Sequence, residues 1–329
     1  MVSALVSPKS RILVTGGAGF VGSHLVGSLL SSEASVTVLD DFSTGTRHNL
    51  SPFLQSPNFK VIEGSILNSN LVSAAVKNST HVFHLGAAVG VSNIMKNPIE
   101  SFKVNTDGTE NVLSACTSAG VRMLLASSSE IYGKNTKSAL SENEDRVLGS
   151  PEKYRWLYSE AKAIDESFAM LHSLAGLDVR IVRLFNTVGP RQSAKYGMVL
   201  PNFVESAIAG RPLIVHGDGS QSRCFAHVED VVEAIQVVMF DDRAKNQIFN
   251  IGNPEEITIV ELAQMVVEIA ESKSAILFKS HDDVFPNGFE DMKRRVPDIS
   301  KINNLLGWKP RKKIRKIVEE TVDYFQTLS

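Results

Sequence analysis

Short, almost wholly apolar segments alternate with longer helical segments through the first half of this chain. An apolar run buries both faces of a strand, which is typical of a parallel sheet covered by helices on each side. The predicted strands are 11–15, 35–40, 59–62, 80–85, 122–127 and 178–184, and the predicted helices between them are 19–31, 71–76, 98–119 and 152–175. This alternation predicts an α/β fold with a doubly wound parallel sheet. Such sheets bind ligands beyond the carboxyl ends of their strands.

The pattern changes after residue 185. Turn-forming clusters at 189–191 and 216–220 separate short strands from further helices. These helices are predicted at 199–209, 228–239, 259–270 and 314–326. Since we find no repeat, low-complexity tract or flexible linker, we predict two parts in contact. The doubly wound domain would span 1–185, and a smaller mixed α/β lobe packed on it would span 186–329.

Charge and composition exclude several classes of protein. The 329 residues include 34 Lys and Arg against 36 Asp and Glu, so no positive excess predicts binding to nucleic acid or a membrane surface. Two cysteines are too few for a disulfide framework or a cysteine zinc site, and they fit a reducing compartment. No apolar run approaches the roughly 20 residues of a membrane helix, and residues 1–11 lack the apolar core of a secretory signal. We expect a soluble, cytoplasmic protein, with no catalytic metal because its histidines show no metal-ligand spacing.

A glycine-rich turn follows the first predicted strand and opens the first helix. It reads Thr-Gly-Gly-Ala-Gly-Phe-Val-Gly over residues 15–22. Gly16 permits a tight turn, Gly19 lets the backbone approach a pyrophosphate, and Gly22 allows the helix to pack closely. The amino terminus of the helix then faces the phosphates. This pattern predicts a Rossmann-type dinucleotide site.

The end of the second strand indicates which dinucleotide binds. Asp40 lies close to the spacing of roughly 20 residues expected for an acid that binds the adenosine ribose. A carboxylate there accepts hydrogen bonds from both ribose hydroxyls and repels a 2′-phosphate, which favours NAD over NADP. Arg47 and His48 keep NADP open as an alternative, because cations beyond this strand could hold that phosphate.

A candidate catalytic pair lies on the helix predicted over 152–175. Tyr158 and Lys162 are four residues apart and so project from one face of that helix. An ammonium near a phenol lowers the pKa of the phenol and makes it a usable general base. The fifth strand ends in the hydroxyls of 127–129, at the edge where a nicotinamide would bind. Together these groups can hold a substrate hydroxyl and remove its proton.

At this point the chain resembles the extended short-chain dehydrogenase/reductases that modify nucleotide-diphosphate sugars. The resemblance extends almost from end to end, in the segments TGGAGFVG, VLDD, HLGAAVG, NTDGTENVL, SSSEIYG, YSEAK, RLFNTVGPR, GDGSQSRCF, FNIGNPEE and RRVPDISK followed by LGWKP. It implies that Ser128 is the catalytic Ser/Thr of the family, that Tyr158 is the base and that Lys162 is its partner.

The same resemblance assigns further residues to the cofactor and the substrate. The expected NAD-binding residues are Gly16, Gly19, Phe20, Gly22, Asp40, Asp41, Ser65, Ile66, Leu85, Ala87, Tyr158 and Lys162. A nucleotide-diphosphate sugar, with UDP as the expected nucleotide, would contact Asn186, Arg191, Arg223 and Arg295. The chain departs from the family pattern at Ser65, where relatives often have Asp, and at Gly86, where Ala is more usual.

The residues after Ser128 bear on which reaction follows formation of the 4-keto sugar. Ser129 stands where 4,6-dehydratases typically have an Asp, so dehydration is disfavoured. Glu130 resembles the glutamate of UDP-glucuronate decarboxylases, in which oxidation at C4 makes the C6 carboxylate a β-keto acid that loses carbon dioxide. The expected catalytic residues are Ser128, Ser129, Glu130, Tyr158 and Lys162.

Three further segments divide between two reactions. Residues 148–158 and 288–291, the latter leading to Arg295, resemble bacterial decarboxylases of lipid A modification and plant UDP-apiose/xylose synthases. Residues 84–91 read more like those of a 4-epimerase. We predict decarboxylation of UDP-glucuronate to a UDP-pentose or 4-keto-pentose, with a UDP-sugar 4-epimerase as the alternative. A non-catalytic dinucleotide sensor is disfavoured because Tyr158 and Lys162 are both present.

The helix predicted over 152–175 is apolar on more than one side. A helix that covers a sheet and is still apolar elsewhere has a second face to bury. With the helix 98–119, it could form a four-helix contact between two copies, as is common in the family. We therefore expect a homodimer.

Overall fold

The structure is a computed structural model that describes residues 6–90, 94, 97–280 and 294–328. Its strands are β1 (Arg11–Thr15), β2 (Ser35–Asp40), β3 (Phe59–Glu63), β4 (His81–His84), β5 (Arg122–Ser128), β6 (Val179–Leu184), β7 (Thr187–Val188), β8 (Leu213–His216), β9 (Ser222–Cys224), β10 (Ala226–His227), β11 (Ile248–Ile251), β12 (Glu256–Thr258) and β13 (Ile276–Lys279). Its α-helices are α1 (Phe20–Ser31), α2 (Arg47–Leu50), α3 (Ser69–Lys77), α4 (Pro98–Ala119), α5 (Leu157–Leu174), α6 (Val199–Ile208), α7 (Val228–Phe240), α8 (Ile259–Ile269), α9 (Ser300–Leu306) and α10 (Ile314–Gln326).

A seven-stranded parallel sheet forms the centre of the fold, in the order β11-β6-β5-β4-β1-β2-β3. All six strands predicted in the first half are present, so the doubly wound sheet is confirmed. The seventh strand, β11, comes from the second half of the chain and pairs with β6, Ile248 opposite Ile181. The division at residue 185 stays a prediction.

Helices cover both faces of this sheet because its strands are apolar on both sides. On one face α1 and α7 pack on residues such as Val14 and Phe83. On the other face α3, α4 and α5 pack on residues such as Leu13 and Met123. Consecutive residues of β1, Leu13 and Val14, thus enter different cores, as the period of two in a strand requires. These two layers hold the strand ends in fixed positions.

The smaller C-terminal lobe has mixed pairing and a core of its own. The strand β12 pairs antiparallel with β9, whereas β13 pairs parallel with β8. Helices α6, α8 and α10 enclose apolar residues that include Leu200, Leu262 and Val318. The prediction of a smaller mixed lobe is therefore confirmed.

The helix that carries the candidate catalytic pair is shorter than predicted. It begins at Leu157 rather than at 152, after a 3₁₀ turn over Tyr154–Trp156. The reason is a preceding turn in which the Lys153 backbone N–H donates to the Ser150 carbonyl, next to Pro151. Tyr158 consequently lies in the first turn of α5, close to the end of β5.

Candidate active site

A cavity of about 810 Å³ opens at the carboxyl edge of the central sheet, where β1, β4 and β5 end. Its volume lies within the roughly 300–1,000 Å³ typical of small-molecule sites. Most of the predicted site residues line it, namely Gly16, Gly19, Phe20, Gly22, Asp40, Asp41, Ile66, Leu85, Ala87, Ser128, Ser129, Glu130, Tyr158, Lys162, Asn186, Arg191 and Arg295. Ser65 and Arg223 are not among its lining residues.

The glycine turn brings the ends of β1 and β4 close together. Gly16 has a φ of +69°, and a Cβ there would lie 2.7 Å from the backbone nitrogen of Gly86, after β4. A Cβ on Gly22 would overlap the Gly16 carbonyl oxygen. Gly86 itself has no spare room, since a Cβ there would lie 3.1 Å from the Thr15 hydroxyl oxygen. Gly19 is the N-cap of α1 and makes no side-chain cap, so the first turn of the helix presents backbone N–H groups to the cavity.

Asp40 is fixed at the end of β2 with its carboxylate at the cavity wall. One carboxylate oxygen accepts the Ala18 backbone N–H and the other accepts that of Phe42, both at 2.8 Å. Burial raises the pKa of Asp40, and these two hydrogen bonds act in the opposite direction. Each oxygen has a further lone pair that can accept from a ribose hydroxyl. Glycine turn and acid together fit an adenine dinucleotide.

Arg47, a cation that could hold a 2′-phosphate, already contacts other side chains. The Arg47 guanidinium lies 2.5 Å from a Glu63 carboxylate oxygen, and it stacks 4.3 Å from the centre of the Phe42 ring. Arg47 is not a lining residue of the cavity, whereas His48 is. The geometry therefore agrees better with an unphosphorylated ribose beside Asp40.

Tyr158 meets the end of β5 inside the cavity. Its phenol is hydrogen-bonded to the Ser128 hydroxyl. Ser128 also caps the 3₁₀ turn Ser129–Tyr132, because its oxygen accepts the Glu130 backbone N–H at 3.2 Å. Burial raises the pKa of Tyr158, and the nearby charge of Lys162 only partly offsets that effect. The sequence predicted a lowered pKa for this tyrosine, whereas its burial in the structure raises the pKa.

Lys162 forms an ion pair that the sequence analysis missed. Its ammonium lies 3.1 Å from a carboxylate oxygen of Asp165, and both side chains are almost fully buried, at 2% and 0% exposed. Burial would lower the pKa of Lys162, but Asp165 and Tyr158 raise it overall. Lys162 is therefore held charged within reach of Tyr158.

Glu130 lies between two arginines in the same cavity. One carboxylate oxygen is 2.6 Å from the guanidinium of Arg155, and the other is 2.6 Å from that of Arg295. Arg295 also donates to the Ser129 hydroxyl at 3.3 Å. Burial would raise the pKa of Glu130, but the two guanidinium groups lower it to about 2. The carboxylate is thus ionised at neutral pH and fixes both cations in place.

Arg155 was not predicted as a site residue, although it lies in a segment that had been singled out. It precedes Tyr158 by three residues, which places both on one side of the chain as α5 begins. The other candidate stretch, 288–291, lies outside the described residues. Arg295, which follows it, is described and is 5% exposed.

The predicted contacts to the nucleotide diphosphate divide into two groups. Asn186 and Arg191 line the cavity, and the Asn186 amide donates to the Cys224 carbonyl at 2.9 Å. Arg191 has a φ of +68°, an uncommon conformation for a residue with a Cβ. Arg223 lies on β9, where it donates to the Ser222 carbonyl at 2.8 Å.

Within the described residues, one group of potential metal ligands lies outside this cavity. His227, Glu229 and Glu320 bring their ligand atoms within 4.8 Å of one another. The Lys312 ammonium lies 2.7 Å from Glu229 and 2.5 Å from Glu320, so a lysine side chain already pairs with both acids. Among the residues that the structure describes, no helix is long and apolar enough to cross a membrane.

The chain is similar in sequence to a known protein family and to known decarboxylases. Residues 13–321 match the family model described as GDP-mannose 4,6 dehydratase. The chain is 38% identical to a UDP-N-acetyl-alpha-D-glucosaminuronate decarboxylase of Bacillus cytotoxicus, over 97% of this chain and 99% of that protein. It is also 38% identical to UDP-glucuronic acid decarboxylase 1 of Arabidopsis thaliana, over 97% of this chain and 70% of that protein.

Two solved structures of epimerases have the same fold as this chain. The epimerase Mth375 of Methanothermobacter thermautotrophicus superposes with a TM-score of 0.89 at 29% identity, covering 99% of this chain and 94% of that one. A UDP-glucuronic acid 4-epimerase from Bacillus cereus, in complex with UDP-glucuronic acid and NAD, has a TM-score of 0.87 at 26% identity. Its match covers 97% of this chain and 100% of that chain.

Proposed function

Because the chain belongs to the GDP-mannose 4,6 dehydratase family, within the extended short-chain dehydrogenase/reductases, we propose that it is an NAD-dependent decarboxylase of a UDP-linked uronic acid, with UDP-glucuronate as the first candidate. The observation that carries the proposal is the cluster of Glu130, Arg155 and Arg295 in the same cavity as Tyr158. Decarboxylase relatives support it more strongly than the epimerase neighbours support the alternative.

The first chemical step belongs to Tyr158 and Ser128. The phenolate of Tyr158 takes the proton of the C4 hydroxyl, and the Ser128 hydroxyl, bonded to that phenol, holds the same substrate oxygen. Lys162 keeps a positive charge beside the phenol. When bound, NAD accepts the hydrogen that leaves C4. A 4-keto uronate results.

The second step breaks the bond between C5 and C6. Carbon dioxide leaves, and the electron pair of the broken C5–C6 bond moves into the C4 ketone, whose oxygen the protonated Tyr158 stabilises. Protonation of C5 then gives the 4-keto-pentose, and return of the hydride to C4 would give the UDP-pentose. Arg295 suits the carboxylate that departs, because its Nε is buried without a hydrogen-bond partner among the described residues. Glu130 supports this role by holding the same guanidinium through a different nitrogen.

Incubation of the purified protein with UDP-glucuronate and NAD tests the proposal directly. We expect release of carbon dioxide and a UDP-pentose or UDP-4-keto-pentose by NMR, and no reaction in the matched Tyr158→Phe protein. A product that keeps its carboxylate with C4 inverted would establish the 4-epimerase instead. UDP-N-acetylglucosaminuronate should be run in parallel, because one decarboxylase relative is named for that substrate.

The proposal also covers the oligomeric state of the protein and its location in the cell. Met170, Leu171 and Leu174 leave apolar surface on α5 exposed, and Leu174 is 84% exposed. We propose that this surface contributes to a homodimer.

We also propose that the protein resides in the cytoplasm. Cys116 and Cys224 support this location because both are buried free thiols.

A further inference from the structure

The ion pair of Lys162 with Asp165 lies at the end of a buried row of hydrogen-bonding side chains. Thr15, the last residue of β1, has a hydroxyl oxygen that accepts the Gly86 backbone N–H at 3.1 Å. That hydroxyl lies 2.7 Å from Nδ1 of His84, and Nε2 of His84 lies 3.0 Å from the Thr109 hydroxyl. The Thr109 hydroxyl lowers the pKa of Asp165, so it lies next to that carboxyl group. The row therefore joins the glycine turn to the catalytic helix.

The protonation state of His84 determines which group donates in each hydrogen bond of this row. Burial lowers the pKa of His84 to about 3, so the imidazole is neutral and has one donor and one acceptor nitrogen. Since the Thr15 oxygen already accepts from Gly86, its proton is available to Nδ1. Nε2 then donates to the Thr109 hydroxyl. The Lys162 ammonium donates to Oδ2 of Asp165 at 3.1 Å, and Oδ1 is buried without a hydrogen-bond partner among the described residues. Burial raises the pKa of Asp165, and the charge of Lys162 acts in the opposite direction.

We propose that Asp165 is a positioning residue that holds the Lys162 ammonium through a buried ion pair and so sets the pH range over which Tyr158 releases its proton. The inference rests on the proposed role of Tyr158 as the base. An ammonium shared with a carboxylate stabilises a phenolate less than one that faces the phenol alone. The charge of Asp165 therefore raises the pH at which Tyr158 releases its proton.

Other titratable groups lie on several of the elements packed around the pair. They are Glu130 at the end of β5, Arg155 before α5, Glu166 on α5, Arg183 on β6, His84 on β4 and Arg295 in the C-terminal segment. Arg183 and Glu166 neutralise each other at 2.8 Å, whereas Glu130 with Arg155 and Arg295 keeps one net positive charge. Asp165 is the acid that contacts Lys162 directly, so its charge is the one to remove.

The test is Asp165→Asn, which keeps the shape of the side chain and removes its charge. Ionisation of Tyr158 is followed by ultraviolet difference titration of the NAD-loaded protein, with the matched Tyr158→Phe protein subtracted. We expect Tyr158 to ionise at a pH lower by at least about one unit than with Asp165 in place. The acid limb of the kcat profile should move by a similar amount.

Two further variants support the measurement. Thr109→Val removes the hydroxyl that stabilises the Asp165 carboxylate. The titration of Tyr158 should then move in the same direction as in Asp165→Asn, by a smaller amount. This variant decides the question if Asp165→Asn does not fold. Glu160→Gln removes a partly exposed carboxylate from the same helix and should leave the titration unchanged. An unchanged or raised titration pH in Asp165→Asn would overturn the inference. The titration needs no turnover, so its outcome is independent of whether the uronate proves to be the substrate.

Discussion

At the residue scale, the position of Glu130 determines what it can do. A carboxylate with a pKa of about 2 is ionised throughout the physiological range and cannot act as a proton donor in the resting enzyme. Its work is to orient Arg155 and Arg295. Decarboxylation should therefore depend on Glu130 through the arginines that it holds.

The variant Glu130→Gln separates the two chemical steps. We expect carbon dioxide release to fall by about 100-fold or more, because an amide no longer fixes the two guanidinium groups. Oxidation at C4 should persist and be visible as absorbance of reduced nicotinamide. Glu152→Gln, an exposed acid before Arg155, is the matched control and should behave as the parent does. Equal loss of both steps, or of neither, would contradict this role.

Removal of the Tyr158 hydroxyl should slow turnover strongly and leave NAD binding nearly unchanged. In Tyr158→Phe we expect kcat to fall by about 10²–10⁴-fold, the usual contribution of a general base. The Kd for NAD, measured by calorimetry, should stay within about twofold, because Asp40 and the glycine turn are untouched. A variant that retains most of its activity would show that another group takes the proton.

The sequence was enough to identify the candidate catalytic pair but not the environment of its lysine. Asp165 follows Lys162 by three residues, a spacing at which exposed ion pairs are common on helices. Whether such a pair is buried depends on α4, which carries Thr109 and packs against α5 from a distant part of the chain. In the same way, Arg155 and Arg295 are 140 positions apart in sequence yet share one carboxylate. Local patterns do not contain these contacts.

At the scale of elements, the strands were predictable because each is apolar on both faces. The last residues of β3 and β5 differ from the prediction by one, since strand ends depend on pairing with a neighbour. The short strands β7 and β10 have two residues each, too few for a periodic pattern to identify. Their pairing, Thr187 with Ala226, is set by the tertiary fold.

The glycine turn gives a prediction for the unit of β1, turn and α1. In Gly22→Ala the new methyl group would overlap the Gly16 carbonyl, so helix and turn must move apart. Overpacking of this kind costs about 1–3 kcal/mol, and we expect NAD to bind about 5- to 100-fold more weakly by calorimetry.

Gly120→Ala provides the control for stability. Gly120 ends α4 with a φ of +64°, and no atom lies within 4 Å of an added Cβ. The free energy of unfolding should fall by about 1 kcal/mol because alanine disfavours this conformation. Affinity for NAD should not change. Equal effects of the two substitutions on NAD binding would argue against a specific role of the turn.

At the scale of the whole molecule, the exposed apolar end of α5 gives a prediction about assembly. We expect the parent protein to sediment as a dimer at micromolar concentration. The double change Leu171→Glu and Leu174→Glu places charge on that surface and should give a monomer. Leu54→Glu changes another exposed leucine, 59% exposed, and should leave the dimer intact. A monomeric parent protein would rule out the proposed contact.

Buried polar contacts join the two halves of the molecule next to the site. The Tyr132 hydroxyl donates to the Asn250 side-chain oxygen at 2.7 Å, and the Asn250 amide donates to the Leu140 carbonyl at 2.8 Å. Arg183 adds a hydrogen bond to the Tyr132 oxygen at 2.9 Å. The residues flanking Glu130 are thereby tied to β11, which belongs to the second half of the sequence.

The origin of β11 has a consequence for biosynthesis. As the chain leaves the ribosome, β6 is complete some 65 residues before its outer neighbour, β11, has been made. Until then the apolar strand β6 is an open edge to which another nascent chain can add. Translation of the segment from β6 to β11 is therefore the interval in which aggregation competes with folding, and a chaperone that shields a sheet edge would act there.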